Sequence, residues 1–307
     1  HYVLQKEDPE ISNIALNKSL KSWINQARQN YDNLSAENEL SSLINALRGG
    51  FVLPGNGGDP IRQPEAVSGR NLYAFEASKV PSAAAYDIAK NTFAQMIAQY
   101  QLKHPQQYPK KLAFSLWSSE TIRHLGVTEA QILHALGLQP IWDQANNLIG
   151  LDIIPQEKLQ RPRVDVVIQV TSVYRDQFDH FMRLVADAIE RLSVLDEPNN
   201  PIFSHAQAME QALLAKNIDA QHAKALAQLK IFSNQPGEYG SGLIQKALAY
   251  DDWESDQVVA NTFLNNLQYA YGKSHWGEQV DVNLFAENLK GVEMAVMSRS
   301  SNIHGVL

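Results

Sequence analysis

The segment "RVDVVIQVTS", residues 163–172, constrains the fold of this chain more than any other. From Val164 to Thr171 it is an almost continuous run of β-branched residues, which is typical of a strand buried on both faces of a sheet. The segment "KLAFSLW", Lys111–Trp117, has the same apolar character. We expect the two segments to be neighbouring strands, with the loops that follow them at the same edge of the sheet.

Helical patterns accompany these strands. Apolar residues recur at helical spacing over Ser82–Gln101 and Asp176–Leu195. Thr128–Gln131 has the pattern of a capping box, which predicts a short helix closed by Gly137. The apolar stretch Val292–Met297 is a further candidate strand. The order of elements predicts an α/β fold with a partly parallel sheet, helices on both faces, and helical N- and C-terminal regions.

The 307 residues, 44% of them hydrophobic, are enough for about two domains. The pattern divides the chain into four regions: a helical lead-in (1–50), an ordered loop rich in glycine and proline (51–81), an α/β core (82–198), and a mainly helical region (199–307) that contains the glycine-rich loop "FSNQPGEYGSGL".

Composition excludes several classes of function. A formal charge of -7 argues against partners made of nucleic acid and against an anionic membrane surface. No apolar run approaches the ~20 residues that span a bilayer, so we expect no membrane partner and a cytoplasmic location, with export of a parent protein left open. The absence of cysteine excludes thiolate metal sites. The histidines lack zinc-site spacing, and "GNGGD" lacks the lysine of a phosphate-binding loop.

Short polar segments are placed in loops or directly after predicted strands. The loop "FVLPGNGGDPIRQPEAVSGRNLYAFE" carries two arginines, the segment from Trp117 to Arg123 follows the first strand, and Tyr174-Arg175-Asp176 follows another. Open α/β sheets bind ligands at the carboxyl ends of their strands. Taken singly, each of these segments has a simpler explanation, such as an ion pair at a helix start for Arg175 and Asp176 or a position in the core for Trp117. Together they favour a ligand site.

Seven segments resemble, in order and spacing, the large subunit of the cobalt and magnesium chelatases of tetrapyrrole synthesis. The resemblance runs from about Leu47 to Leu307, and "PGEYGSG" and "SSNIHG" are closer to the cobalt branch. The segments are "PGNGGDPIRQPEAVSGRNLYAFE", "LWSSETIRHLG", "RPRVDVVIQVTSVYRDQF", "DEPNNP", "FSNQPGEYGSGL", "DDW" and "SRSSNIHGVL".

The resemblance implies a subunit that binds a tetrapyrrole, here a corrin precursor, and receives Co²⁺ or Mg²⁺ as its metal substrate. Separate AAA+ subunits would hydrolyse ATP, and this chain alone would hold no cofactor. The family's subunit is several times longer and carries an upstream His/Glu signature that has no counterpart here. We therefore expect an internal fragment that is inactive alone. The alternative is a noncatalytic α/β module that holds the subunit together and docks the AAA+ partners.

The resemblance also implies a set of site residues. A flat apolar ring rimmed by carboxylates calls for aromatic faces and guanidinium groups, and metal insertion calls for groups that accept two pyrrole protons. Instead of binding the ring, Arg70 would in the alternative case have a structural role, with its side chain bonded to backbone carbonyl groups. The predicted substrate-binding residues are Arg62, Arg70, Asn71, Tyr73, Trp117, Arg123, Arg175, Tyr239, Arg299 and Asn302; the predicted catalytic residues are Glu120, Asp176 and Glu238; the predicted metal ligand is His304.

Overall fold

The computed structural model describes residues 18–35, 37–55, 68–72, 76–242 and 256–298. The chain divides into two compact units, residues 1–75 and 76–307. In the first unit, helix α1 (Lys18–Ser35) and helix α2 (Asn38–Leu47) precede two very short parallel strands, β1 (Pro54–Gly55) and β2 (Asn71–Leu72).

The second unit alternates helices and strands. Its helices are α3 (Ala83–Lys103), α4 (Ser118–His124), α5 (Val127–Leu136), α6 (Gln156–Leu159), α7 (Ser172–Gln177), α8 (Asp179–Ser193), α9 (Pro201–Leu214), α10 (Ala220–Ala227), α11 (Asp256–Asn266) and α12 (Leu284–Leu289). Its strands are β3 (Lys111–Leu116), β4 (Leu138–Trp142), β5 (Leu148–Ile153), β6 (Asp165–Val170), β7 (Ile231–Ser233), β8 (Tyr269–Tyr271), β9 (Trp276–Glu278) and β10 (Met294–Met297). None of the described helices is both long and apolar enough to cross a bilayer.

Within the described residues, six strands form one sheet in the order β10-β3-β6-β7-β8-β9. The first four run parallel, and β8 and β9 are added in antiparallel fashion. Strands β3 and β6 pair along their whole length, from Lys111 opposite Asp165 to Leu116 opposite Val170. The predicted α/β fold, its partly parallel sheet and its two neighbouring central strands are confirmed. Strands β4 and β5 form a separate antiparallel pair.

The central strands are buried on the face that carries Leu112, Phe114 and Leu116, each at most 2% exposed. Helix α5 packs against β3 and β6. A second core lies beside β7 and β8, where Phe232 and Phe285 pack with their ring centroids 5.2 Å apart. The sheet is therefore held by two apolar clusters.

The sheet takes strands from both sides of the predicted boundary at residue 198. Strands β7 to β10 all come from the region predicted to be mainly helical. Of these, only β10 matches a predicted strand, the apolar stretch Val292–Met297. The other three have three residues each, which is too short for an alternating hydrophobic pattern to be distinguished.

Two predicted helices differ in detail. The single helix predicted over Asp176–Leu195 is divided at Phe178, where φ is -117° and ψ is 30°, so that Asp176 lies in α7. Helix α5 ends at Gly137, as expected, with φ at 74°. The capping box expected over Thr128–Gln131 is absent, because the helix begins at Val127, so that Thr128 lies inside it, and the Gln131 side chain donates to Thr92 Oγ1 at 2.9 Å instead.

Candidate functional site

The carboxyl ends of β10, β3, β6 and β7 lie at one edge of the sheet because these strands are parallel. The segments from Trp117 to Arg123 and from Ser172 to Asp176 both begin at this edge, as predicted. The residues after β7, Asn234 to Gly240, form a glycine-containing loop here, which we call the 234–240 loop. In an α/β sheet this edge is the usual place for a ligand site.

Arg175 fastens the 234–240 loop to helix α7. Its Nη1 donates hydrogen bonds to the backbone oxygens of Gln235 at 2.8 Å and Asn234 at 3.2 Å, and its Nε donates to Asp176 Oδ1 at 2.7 Å. The side chain of Arg175 is only 3% exposed. Its guanidinium group is therefore buried and bonded to the loop and to Asp176.

Asp176 and Tyr239 form an exposed polar pair above this arginine. The Tyr239 hydroxyl donates to Asp176 Oδ2 at 2.7 Å, and the Tyr239 ring centroid lies 5.7 Å from Arg175 Cζ. The hydrogen bond from Arg175 lowers the pKa of Asp176, and the hydrogen bond to Asp176 raises the pKa of Tyr239. Near neutral pH the carboxylate is therefore ionised and weakly basic, and the phenol keeps its proton.

Glu120 links the helix after β3 to the end of β10. One of its carboxylate oxygens, Oε1, lies 3.4 Å from Arg123 Nη1, and the other accepts a hydrogen bond from Ser298 Oγ at 3.2 Å. Glu120 and Arg123 are both partly buried. This ion pair thus lies at the same edge of the sheet as the pair formed by Asp176 and Tyr239.

Two aromatic side chains are exposed at this edge. Trp117 is 48% exposed and Tyr239 is 65% exposed. The indole of Trp117 is held in place by a hydrogen bond from its Nε1 to Ser115 Oγ at 3.1 Å. Exposed aromatic rings with a polar handle are suited to contact a ligand that has both a flat apolar body and polar substituents.

Comparison with known proteins decides the family. The sequence profile of the family described as CobN/magnesium chelatase matches residues 2–307. The chain belongs to the CobN/magnesium chelatase family. The resemblance seen in the sequence is thereby confirmed.

Relatives in this family include both cobalt and magnesium enzymes. The chain is 31% identical to the aerobic cobaltochelatase subunit CobN of Sinorhizobium sp., over 88% of this chain and 21% of CobN. It is 32% identical to a magnesium-chelatase subunit of Cereibacter sphaeroides, over 89% of this chain and 22% of that protein. Because the two sequence identities are nearly equal, they do not show whether this chain is more similar to the cobalt enzymes or to the magnesium enzymes.

A solved structure shares the fold of this CobN/magnesium chelatase chain. The catalytic subunit of cobaltochelatase from Mycobacterium tuberculosis matches with a TM-score of 0.76 and 29% identity, over 85% of this chain and 22% of that chain. The chain thus spans between a fifth and a quarter of the length of such relatives.

The structure of this family member places half of the predicted site residues together. Arg70 is exposed and Asn71 lies in β2, both in the first unit. Those at the carboxyl edge of the sheet are Trp117, Glu120, Arg123, Arg175, Asp176, Glu238 and Tyr239; those outside the described residues are Arg62, Tyr73, Arg299, Asn302 and His304. In the described part of the chain, no group of three His, Asp or Glu residues is arranged to hold a metal ion.

A buried polar cluster below this edge was not predicted from the sequence. Glu129 is fully buried in α5, and its Oε1 accepts a hydrogen bond from Thr121 Oγ1 at 2.5 Å. Its Oε2 and the hydroxyl of Tyr174 are both buried without a hydrogen-bond partner. Burial and the negative charge of Glu129 raise the pKa of Tyr174. Burial raises the pKa of Glu129 to about 7, against the opposite effect of the Thr121 hydroxyl. The cluster joins α4 and α7, which both carry candidate site residues.

Proposed function

We propose that this chain is the portion of a chelatase large subunit that binds a tetrapyrrole, a corrin precursor, for the insertion of Co²⁺. The observation that carries the proposal is the carboxyl edge of the sheet, where exposed Trp117 and Tyr239 lie with Glu120 and Asp176 in a member of a chelatase family. Aromatic faces and carboxylates are the groups that a flat macrocycle and a metal cation require.

The residues at this edge would divide the chemistry between them. The rings of Trp117 and Tyr239 would contact the macrocycle, and Arg123 would meet its polar rim. Insertion of a divalent metal releases two protons from pyrrole nitrogens, and Glu120 and Glu238 are the candidate acceptors. Asp176 contributes negative charge rather than basicity, because its bond to Arg175 lowers its pKa.

The metal and the partners follow from the same proposal. Co²⁺ is the substrate metal because "PGEYGSG" and "SSNIHG" resemble the cobalt branch. ATP is hydrolysed by AAA+ partner subunits, this chain holds no cofactor of its own, and the complex is cytoplasmic. Because the chain spans at most about a quarter of its relatives, we expect it to insert no metal by itself.

One observation favours a second function, that of a noncatalytic module that docks the AAA+ partners. The polar groups at the edge bond mainly to one another: Arg175 to the 234–240 loop, Asp176 to Tyr239, and Glu120 to Ser298. Such contacts stabilise a surface whether or not a ligand binds there.

Binding of a porphyrin by the purified chain tests the proposal. Titration with deuteroporphyrin IX, followed by its absorbance and by quenching of tryptophan fluorescence, is expected to show saturable binding. Tyr239→Ala is expected to weaken this binding roughly three- to tenfold, because an aromatic contact contributes about 0.5–1.5 kcal/mol. Leu102→Ala, at a residue that is 75% exposed on α3, is the matched control. An absence of porphyrin binding together with capture of an AAA+ chelatase subunit would establish the docking module instead.

A further inference from the structure

The two faces of the parallel sheet differ in composition near β10. Residues that pair in a parallel register lie on the same face, and one face carries all the buried apolar residues of β3 and most of those of β6. Val167 of β6 lies on the other face and is buried in the second core. On this other face, Ala295 pairs with Ala113, and Ser115 pairs with both Met297 and Gln169. We call these five residues the open sheet patch.

The open sheet patch is accessible in the second unit. Ala295 and Met297 are exposed, and Ala113, Ser115 and Gln169 are partly exposed. Towards the amino end of the same face, the end of helix α12 covers β3, where Lys111 Nζ donates to the backbone oxygen of Lys290 at 3.0 Å. The accessible area is thus the half of this face that is nearest to the carboxyl edge.

The residue types of the patch argue for a flat ligand rather than a covering helix. Parallel strands that are covered by helices carry Val, Ile and Leu on both faces, whereas β3 carries large apolar residues, Leu112, Phe114 and Leu116, on its other face alone. The patch instead has Ala113 and Ser115 on β3 and Ala295 on β10. These small side chains form a shallow floor on two strands that lie about 5 Å apart, and Met297 and Gln169 border the floor, so a planar ring can lie against it.

Polar groups connect this floor to the candidate site. Ser115 Oγ donates to Gln169 Oε1 at 2.6 Å and accepts from Trp117 Nε1 at 3.1 Å, so the half-exposed indole stands at the rim of the patch. Ser298, which directly follows Met297, donates to Glu120 Oε2. The open sheet patch and the carboxyl edge therefore form one continuous surface.

We propose that the tetrapyrrole lies flat on the open sheet patch, with Trp117 and Glu120 beside its edge and with its outer face, above the four central nitrogens, open to the incoming metal. This inference rests on the proposed function and assigns the floor of the binding site to residues that the family resemblance did not indicate. It also explains why positions 113 and 295 both carry alanine, because a larger side chain at either position would lift the ring from the sheet.

The absence of cysteine from the chain allows a direct test by labelling. Met297→Cys is placed on the patch, and Val194→Cys is the control at a residue equally exposed, 55% in both cases. Both thiols are expected to react rapidly with a maleimide in the free chain. Saturating deuteroporphyrin IX is expected to slow labelling at position 297 at least tenfold and to leave position 194 unchanged. Ala295→Phe is expected to weaken porphyrin binding at least tenfold while the melting temperature stays close to that of the parent.

The outcomes separate this inference from the proposed function. If the porphyrin binds but protects neither cysteine, and Ala295→Phe binds as the parent does, the patch is not the floor and the proposed function stands. Slow labelling of Met297→Cys without porphyrin would show that another part of the protein covers the patch, which overturns the inference. If no variant and no parent binds porphyrin, the proposed function fails, and the inference fails with it.

Discussion

Replacement of Arg175 with alanine is expected to lower the free energy of unfolding by roughly 2–4 kcal/mol. The guanidinium is buried, and it donates to two backbone oxygens of the 234–240 loop and to Asp176. Without it, the buried carbonyl group of Asn234 and the partly buried one of Gln235 both lose a charged donor. Thermal and urea unfolding, together with protease cleavage within the loop, measure the effect.

The lysine variant separates a structural role of Arg175 from a direct contact with the ligand. An ammonium group cannot reproduce the fork of donors that a guanidinium presents, so Arg175→Lys is also expected to lower the melting temperature. Arg48→Lys, at an exposed position directly after α2, is the matched control and should change it little. If Arg175→Lys instead weakens porphyrin binding at an unchanged melting temperature, Arg175 contacts the macrocycle, as the sequence first suggested.

Replacement of Glu129 with glutamine is expected to remove a large part of the pH dependence of stability. Burial raises the pKa of Glu129 from 4.5 to about 7, so the unfolded carboxyl group ionises between pH 4.5 and 7 while the folded one keeps its proton. The free energy of unfolding therefore falls as the pH rises through this window, by about 3 kcal/mol, and the loss stops above pH 7.

Urea unfolding at pH 4.5, 6 and 8 measures this dependence. The glutamine side chain still accepts the hydrogen bond from Thr121 and carries no charge, so Glu129→Gln should gain stability relative to the parent as the pH rises. Glu157→Gln, at an exposed position in α6, is the control and should follow the parent at every pH. Parallel profiles for Glu129→Gln and the parent would show that the Glu129 carboxyl group ionises over the same pH range in the folded and the unfolded protein.

The sequence predicted the centre of the sheet because β3 and β6 are six residues long and predominantly apolar. It therefore also predicted which loops share the carboxyl edge. The contacts of Arg175 could not be predicted, because they join residues about 60 positions apart. The capping box was predicted wrongly because Thr128 and Gln131 have its spacing, and the sequence does not show that the helix begins one residue before Thr128.

The open sheet patch escaped sequence analysis for a different reason. Ala113 and Ser115 can be recognised as part of a surface only when the strand register shows that Ala295 and Met297 lie beside them on the same face. Alternation along one strand does not reveal which neighbour it will have, and β10 is too short to predict its own partner.

The position of β10 next to β3 has a consequence for synthesis on the ribosome. Strand β3 is inner in the finished sheet, yet its partner on one side emerges about 180 residues later. At 5–20 residues per second, one row of backbone donors and acceptors on β3 waits unpaired for roughly 10–40 s. An unpaired strand edge invites association with other chains. Molecules stalled before Met294 are therefore the ones that should depend most on chaperones.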